Sequence, residues 1–320
     1  RNKPAKGRGA ISNPEGRFER LSRDPCDDGW SAEEEIPPLK TTVRIEPCRT
    51  IIAHNDSPDI PFDQSINPYR GCEHGCVYCF ARPSHAYLGL SPGLDFETRL
   101  FAKTNAAERL RAELAKPGYR CRPLALGTNT DPYQPVERRY RVMRGVLEVL
   151  AECRHPLSIV TKSALIERDL DLLVPMARQR LVQVFLSITT LDRVLARRLE
   201  PRAAAPMRRL ETVQRLAAAG IPVGVMVAPV IPGLTDSHLE NILEASHAAG
   251  ARSAGYLLLR LPHEVKDLFR EWLAQHEPLK ATHIMSLVRD TRGGRDNDPR
   301  FGSHMRGSGS IADLIEDRFV

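Results

Sequence analysis

The sequence predicts an α/β fold built on parallel strands, and three observations carry that prediction. Short apolar strand candidates alternate with amphipathic helices from Phe96 onward, the strand-then-helix unit recurs about six times, and glycines stand where the helices should stop. Such alternation implies parallel strands joined by right-handed crossovers. It leaves an open doubly wound sheet or a barrel, and periodicity does not separate the two.

The units follow in order. A strand over 97–103 precedes a helix near 106–115, and a strand over 123–126 precedes a helix over 138–153. Next come 157–161 with a helix at 169–178, and 182–188 with a helix at 208–219. The last two units pair 223–230 with 237–249 and 254–259 with 265–276. Gly220 and Gly250 follow Ala-rich helices at the position where left-handed backbone costs Gly little, and Asp236 or Ser237 is placed to cap the helix after it.

Outside these units the pattern fades. Residues 1–40 show no periodicity and carry Glu33, Glu34 and Glu35 followed by Pro37 and Pro38, which predicts a flexible lead-in. A strand-like run over 41–45 opens a core domain spanning 41–290. Residues 291–320 read as a Gly-, Arg- and Asp-rich loop and a short helix over 311–319, with a lid as the loop's alternative role.

Composition narrows the class. With 42% hydrophobic and 27% charged residues the chain is an ordinary globular one. Its longest apolar stretch, 221–234, is broken by Pro222, Pro229 and Pro232, so it falls short of a membrane-spanning helix. No secretory h-region is visible, and the expected location is the cytoplasm with no membrane partner. A net charge of +6 suits a polyanionic partner such as nucleic acid, although its Arg bias also follows from genome composition.

Three of the seven cysteines crowd into one short segment, which argues against a disulfide framework. Cys26, Cys48, Cys121 and Cys153 are scattered and read as packed or incidental thiols. Cys72, Cys76 and Cys79 have the spacing C-x3-C-x2-C between Gly71 and Phe80. Seven steps reach at most about 25 Å, so a compact loop brings three sulfurs to three corners of one iron–sulfur cube. Gly71 and Gly75 permit the turns.

Cube clusters in electron carriers usually take four cysteines, so a set of three leaves one iron open. A molecule with an amine and a carboxylate can chelate that iron, and an electron from the cluster can then break an adjacent carbon–sulfur bond. The competing reading is a Cys3His zinc site completed by His74, His54 or His85, although only one C-x2-C knuckle is present. In that case the chain is a zinc-stabilised nucleic-acid-binding module, with Arg138, Arg139, Arg141 and Arg144 on its basic helix.

Three cysteines at this spacing, an aromatic before the last of them and a following βα series resemble the radical S-adenosylmethionine (SAM) superfamily. The likeness runs from about Asp63 to Leu261 and is greatest to the branch containing spore photoproduct lyase, a DNA repair enzyme. The shared landmarks are Thr130-Asp131-Pro132, Thr161-Lys162, Ser187, Glu200-Pro201, Arg208 and Arg209, and Val227-Ala228-Pro229.

The resemblance implies a partial (β/α)6 TIM-like barrel with N- and C-terminal extensions, its site at the C-terminal ends of the strands. It implies a [4Fe–4S] cluster on Cys72, Cys76 and Cys79, and S-adenosyl-L-methionine held by Tyr78, Thr130, Lys162, Ser187 and Ala228. Lys162 would meet the methionyl carboxylate and Ser187 the carboxylate or ribose. Tyr78 and Ala228 would flank adenine, and Gly127 to Thr130 would receive the methionyl amine. Read alone, Asp131-Pro132 is an ordinary turn and Glu137 a complement to a helix dipole.

The implied reaction is reductive cleavage of the cofactor to a 5′-deoxyadenosyl radical that takes hydrogen from an unidentified substrate, nucleic acid among the candidates. A flavodoxin or ferredoxin would supply the electron. One departure stands out. Photoproduct lyases carry a hydrogen-donating cysteine two residues before the position of Thr130, where this chain has Thr128, and a threonine O–H bond is too strong to replace a thiol. A third reading is therefore a DNA-lesion lyase with another hydrogen donor, Tyr133 or Cys121.

Overall fold

A computed structural model of the chain describes residues 5–19 and 39–320, so Cys26, Glu33 to Glu35, Pro37 and Pro38 lie outside the described residues. The core opens with β1 (Thr42–Ile45), β2 (Ile52–His54), β3 (Gln64–Ile66) and β4 (Tyr69–Arg70). A 3-10 turn over Arg82–Leu88 leads to α1 (Leu94–Thr98), β5 (Arg99–Ala102) and α2 (Ala106–Leu114).

Regular alternation then sets in with β6 (Leu124–Leu126), α3 (Glu137–Tyr140), α4 (Val142–Glu152), β7 (Leu157–Thr161) and α5 (Leu170–Arg178). It continues with β8 (Val182–Ser187), α6 (Arg193–Leu199), α7 (Pro206–Ala218), β9 (Val223–Val230), α8 (Leu239–Ala248), β10 (Ser253–Leu258) and α9 (Val265–His276). Two further helices, α10 (Ala281–Asp290) and α11 (Ser310–Phe319), follow.

The main sheet has the order β10-β9-β8-β7-β6-β3-β2. Six of these strands, β3 and β6 to β10, run parallel, and β2 lies antiparallel on the β3 edge. Parallel strands need cover on both faces, which explains their Val, Ile and Leu content. Ile159, Val184, Leu186 and Val223 pack with Leu110, Val146, Leu150, Leu173, Val213 and Leu216 from α2, α4, α5 and α7 in one core. Each such side chain contributes about 1.5–3 kcal/mol on burial.

The arrangement is a partial barrel and not a closed one: β2 and β10 remain edges. Loops join what the strands do not. Asp59, between β2 and β3, accepts from the Gly302 amide at 2.8 Å and pairs with His304 at 2.7 Å in the chain beyond α10. Arg292 in turn donates to the Leu258, Leu259, Ser303 and His304 carbonyls, which ties that segment to the end of β10.

Several expected elements come out differently. The strand expected over 97–103 is split, with α1 ending at Thr98, and β5 belongs to a separate small sheet of order β1-β5-β4. The first parallel strand is β3, whose three residues Gln-Ser-Ile are too few to show alternation. The helix expected over 138–153 breaks at Arg141, which has a left-handed φ of 51°. Buried Glu137 there accepts from the Met143 and Arg144 amides at 3.0 and 3.2 Å, so it caps α4 directly and does more than complement a dipole.

Helices α6 and α10 fall in stretches where no helix was expected. Asp236 and Ser237 do not cap α8, because a 3-10 turn over Asp236–His238 intervenes. Gly220 and Gly250 do take positive φ after their helices. In the lead-in, Arg8 to Ile11 are buried, so this part of it is packed. Among the described residues no helix is long and apolar enough to cross a membrane.

Candidate functional site

The three cysteines sit on the loop after β4, and hydrogen bonds from three directions fix it. The Cys72 amide donates to Phe96 O at 2.9 Å, Val77 N donates to Leu199 O at 3.1 Å, and Gln134 bridges the Glu73 amide and the Gly71 carbonyl. Gly71 and Gly75 take φ of 74° and 69°, the turns their residue type predicted. Beneath the loop, fully buried Arg82 donates to Cys76 O at 2.9 Å and Gly75 O at 3.2 Å and pairs with Glu97 at 2.5 Å.

Glu97 draws in the lead-in. Its carboxylate accepts the Gly9 and Ala10 amides at 3.0 and 2.8 Å, while Arg8 donates to Glu97 O. The contact is close enough that a Cβ on Gly9 would lie 1.7 Å from Gly75 O. Residues far apart in sequence thus form one support for the cysteine loop, and no periodic pattern announces them.

Burial raises the pKa of all three thiols, that of Cys76 to about 12. Cys76 and Cys79 both raise Cys72 further by their proximity, and the Lys162 ammonium opposes burial at Cys76 and Cys79. Three thiols on one short loop, two of them buried and Cys79 half-buried, beside a cation fit a cluster that takes thiolates. Among the described residues no three His, Cys, Asp or Glu side chains close on a single metal ion, the three cysteines included, and two of the histidines offered to a zinc site have other partners. His74 instead pairs with Asp131 at 3.3 Å, and His85 bonds Arg99 O.

The strand ends form the facing wall. Lys162 Nζ donates to Ser187 Oγ at 2.9 Å and stands 5.9 Å from the centre of the Tyr78 ring. Ser187 Oγ donates to Ala228 O at 3.2 Å, as does Thr189 Oγ1. Four of the expected contacts, Tyr78, Lys162, Ser187 and Ala228, are therefore neighbours across β7, β8, β9 and the cysteine loop. Thr130 also lies at a strand end, beyond β6, but its hydroxyl donates to Tyr69 O at 3.1 Å.

Two carboxylates hold this wall. Burial pushes Asp131 up, yet the nearby His74 ring and hydrogen bonds from His74, Lys162 N and Thr161 Oγ1 bring it down to about 2. Glu200 behaves alike: burial opposes its charge, and Arg209, Lys162 and the Tyr78 hydroxyl bring it to about 2. Arg209 also donates to the Ser187 carbonyl at 2.8 Å, which fixes the end of β8. Glu200 and Arg209 were visible as landmarks, but their partnership with Tyr78 was not. Gly127 lies under this wall, where a Cβ would meet Val160 O at 2.1 Å.

The alternative hydrogen donors fare poorly. Cys121 is exposed at the N-terminal approach to β6, the opposite end from the site, and Tyr133 is wholly buried in the core. Thr128 shares hydrogen bonds with the Asn67 amide group at 3.1 and 3.3 Å. The basic helix of the rival reading is partly neutralised, since Arg144 makes ion pairs with Glu148, Asp169 and Asp171.

Comparison with known proteins adds the family. The Radical SAM superfamily profile matches residues 66–245. An uncharacterised protein of Mycobacterium tuberculosis is 44% identical over 232 residues, covering 72% of this chain and 68% of its own length. One from Methanocaldococcus jannaschii is 27% identical over 171 residues, covering 53% and 61%. Spore photoproduct lyase complexed with dinucleoside spore photoproduct shares the fold, with a TM-score of 0.54 at 16% identity over 72% of this chain and 66% of that one. A cysteine-to-alanine variant of that lyase aligns over 77% and 72% with a TM-score of 0.56 at 17% identity. With more than half its length matched by the profile and two thirds of a relative covered, the chain belongs to the radical SAM superfamily.

Proposed function

We propose that Cys72, Cys76 and Cys79 hold a [4Fe–4S] cluster and that Tyr78, Lys162, Ser187, Ala228 and the Thr130 loop hold S-adenosyl-L-methionine against it. The observation that carries this reading is the Lys162 ammonium, which bonds Ser187, faces Tyr78 and acts on the Cys76 and Cys79 thiols. When bound, the cluster supplies the electron that splits the cofactor into methionine and a 5′-deoxyadenosyl radical, which takes hydrogen from the substrate.

The chain's own residues bind and orient. Lys162 offers the methionyl carboxylate a charge-assisted hydrogen bond. Tyr78, held through its hydroxyl by Glu200 and Thr189, keeps its ring fixed as one side of an adenine slot. Thr130 contributes through its backbone position, since its hydroxyl is already committed. A flavodoxin or ferredoxin is the proposed electron source, and a nucleic-acid substrate remains part of the proposal through the positive net charge.

The test is anaerobic. Reconstituted protein with dithionite and S-adenosyl-L-methionine should bind about four irons and release 5′-deoxyadenosine, and a Cys76→Ala variant should release none. Stoichiometric zinc without iron, or equal 5′-deoxyadenosine from both proteins, would reject the reading.

A further inference from the structure

Buried arginines in this fold are supplied with oxygen acceptors. Arg82 has carbonyls of Gly75, Cys76, Pro92 and Gly93 and the Glu97 carboxylate, Arg209 has two carbonyls and Glu200, and Arg292 has four carbonyls. Arg260, two residues past the end of β10, differs. Its side chain is half-buried, yet among the described residues its hydrogen bond goes to the Met305 thioether at 3.3 Å. A thioether is a weak acceptor, and a guanidinium carries five N–H donors. Asp59 acts on it through space alone.

The side chain's other neighbour is Phe80, whose ring centre lies 5.1 Å from the guanidinium carbon. The ring attracts the charge but offers the N–H groups no lone pair. Phe80 directly follows Cys79 and is itself 41% exposed, so an unsaturated cation and an open aromatic surface meet beside the cysteine loop.

The position is also stiff. Leu258 N donates to Met305 O at 3.0 Å, and Arg292 binds the Leu258 and Leu259 carbonyls at 3.1 and 2.7 Å, which anchors the strand end that carries Arg260. Lys162 and Arg209, the cations of the wall, are already engaged by Ser187 two strands away and by Glu200.

We propose that Arg260, with Phe80 beside it, is the substrate-recognition site of this enzyme and takes an oxyanion, a phosphate ester or a carboxylate, borne next to an apolar or aromatic group. The inference rests on the cofactor-cleaving reading only for what the bound group undergoes afterwards. An anion on Arg260 saturates donors the protein leaves open, and a flat group beside it covers Phe80, which places the bound molecule one residue from Cys79. Charge and ring together set specificity: a neutral analogue that covers Phe80 shields the guanidinium from water without pairing it, a penalty that discriminates against it.

The probes are phenyl phosphate, benzoate and phenol, titrated calorimetrically into anaerobically reconstituted protein saturated with S-adenosyl-L-methionine. At least one of the two anions should bind while phenol does not, and the stronger anion identifies phosphate or carboxylate as the favoured group. Arg260→Gln should weaken that anion about tenfold or more, and Arg260→Lys should keep most of the binding, with thermal melting confirming that both variants fold. Equal binding by wild type and Arg260→Gln, binding of neither anion, or competition by S-adenosyl-L-methionine itself would overturn the proposal. Release of 5′-deoxyadenosine by the wild-type protein, measured alongside, shows separately whether the cofactor reading holds.

Discussion

Lys162 Nζ lies 2.9 Å from Ser187 Oγ, joining the ends of β7 and β8 by a single hydrogen bond. The pair is preorganised, because Asp131 accepts the Lys162 amide at 2.7 Å and Arg209 holds the Ser187 carbonyl at 2.8 Å. Replacing Lys162 by Met should leave iron content unchanged and weaken S-adenosyl-L-methionine binding by about 10- to 100-fold, the worth of a hydrogen bond to a charged group. Equilibrium dialysis of reconstituted protein measures it, and unchanged affinity would remove Lys162 from the cofactor site.

Glu97 is the hub between the cysteine loop and the packed part of the lead-in. In Glu97→Ala the Arg82 charge stays buried without its carboxylate, and the Gly9 and Ala10 amides lose their acceptor. The expected cost is about 3–5 kcal/mol, seen as a lowered melting temperature of the iron-free protein. Limited proteolysis should then cut within residues 5–19 sooner than in the wild type.

These supports were not legible in the sequence, whereas the members of the candidate site were. As a candidate set, Cys72, Cys76 and Cys79 announce themselves because their spacing puts three thiols on one loop, and Lys162, Ser187 and Ala228 because they stand at or near the ends of strands with clear apolar runs. Glu97 meets Gly9 across 88 residues and Tyr78 meets Glu200 across 122, and periodicity carries no signal at such separations. Strand β3 escaped for another reason: three residues hold barely one alternation. Arg141 escaped because the helical pattern of α3 and α4 runs through the break that buried Glu137 creates.

His85 sets an acid limit. Burial, opposed by a bond to Arg99 O and by Asp95 and reinforced by Arg82 and Arg99, lowers its pKa from 6.5 to about 4. A base with a depressed folded pKa stabilises fully above its unfolded pKa, so this contribution is lost as the pH falls from about 6.5 toward 4, on the order of 3 kcal/mol. Denaturant unfolding of His85→Gln, which keeps a donor but does not titrate, should show a flatter stability profile over that window.

Thiol exposure gives a direct check of the loop. In folded, iron-free protein an alkylating reagent should modify exposed Cys121 and Cys153 first and spare buried Cys72 and Cys76 until denaturant is added. Peptide mapping of the labelled sites reads the order, and early labelling of Cys72 would contradict the packing around Gln134 and Phe96.

The link from Asp59 to Gly302 and His304 has a mechanical meaning. Since β2 and β10 share no ladder, this contact is a zip between the two margins of the curved sheet, and undoing it sacrifices no strand pairing. The contact therefore carries no strand register: Asp59, Gly302 and His304 could part without a rung of the parallel ladder being lost, while the apolar packing of Ile11, Val77 and Tyr78 against Phe269 and Trp272 still holds the two sides of the domain together.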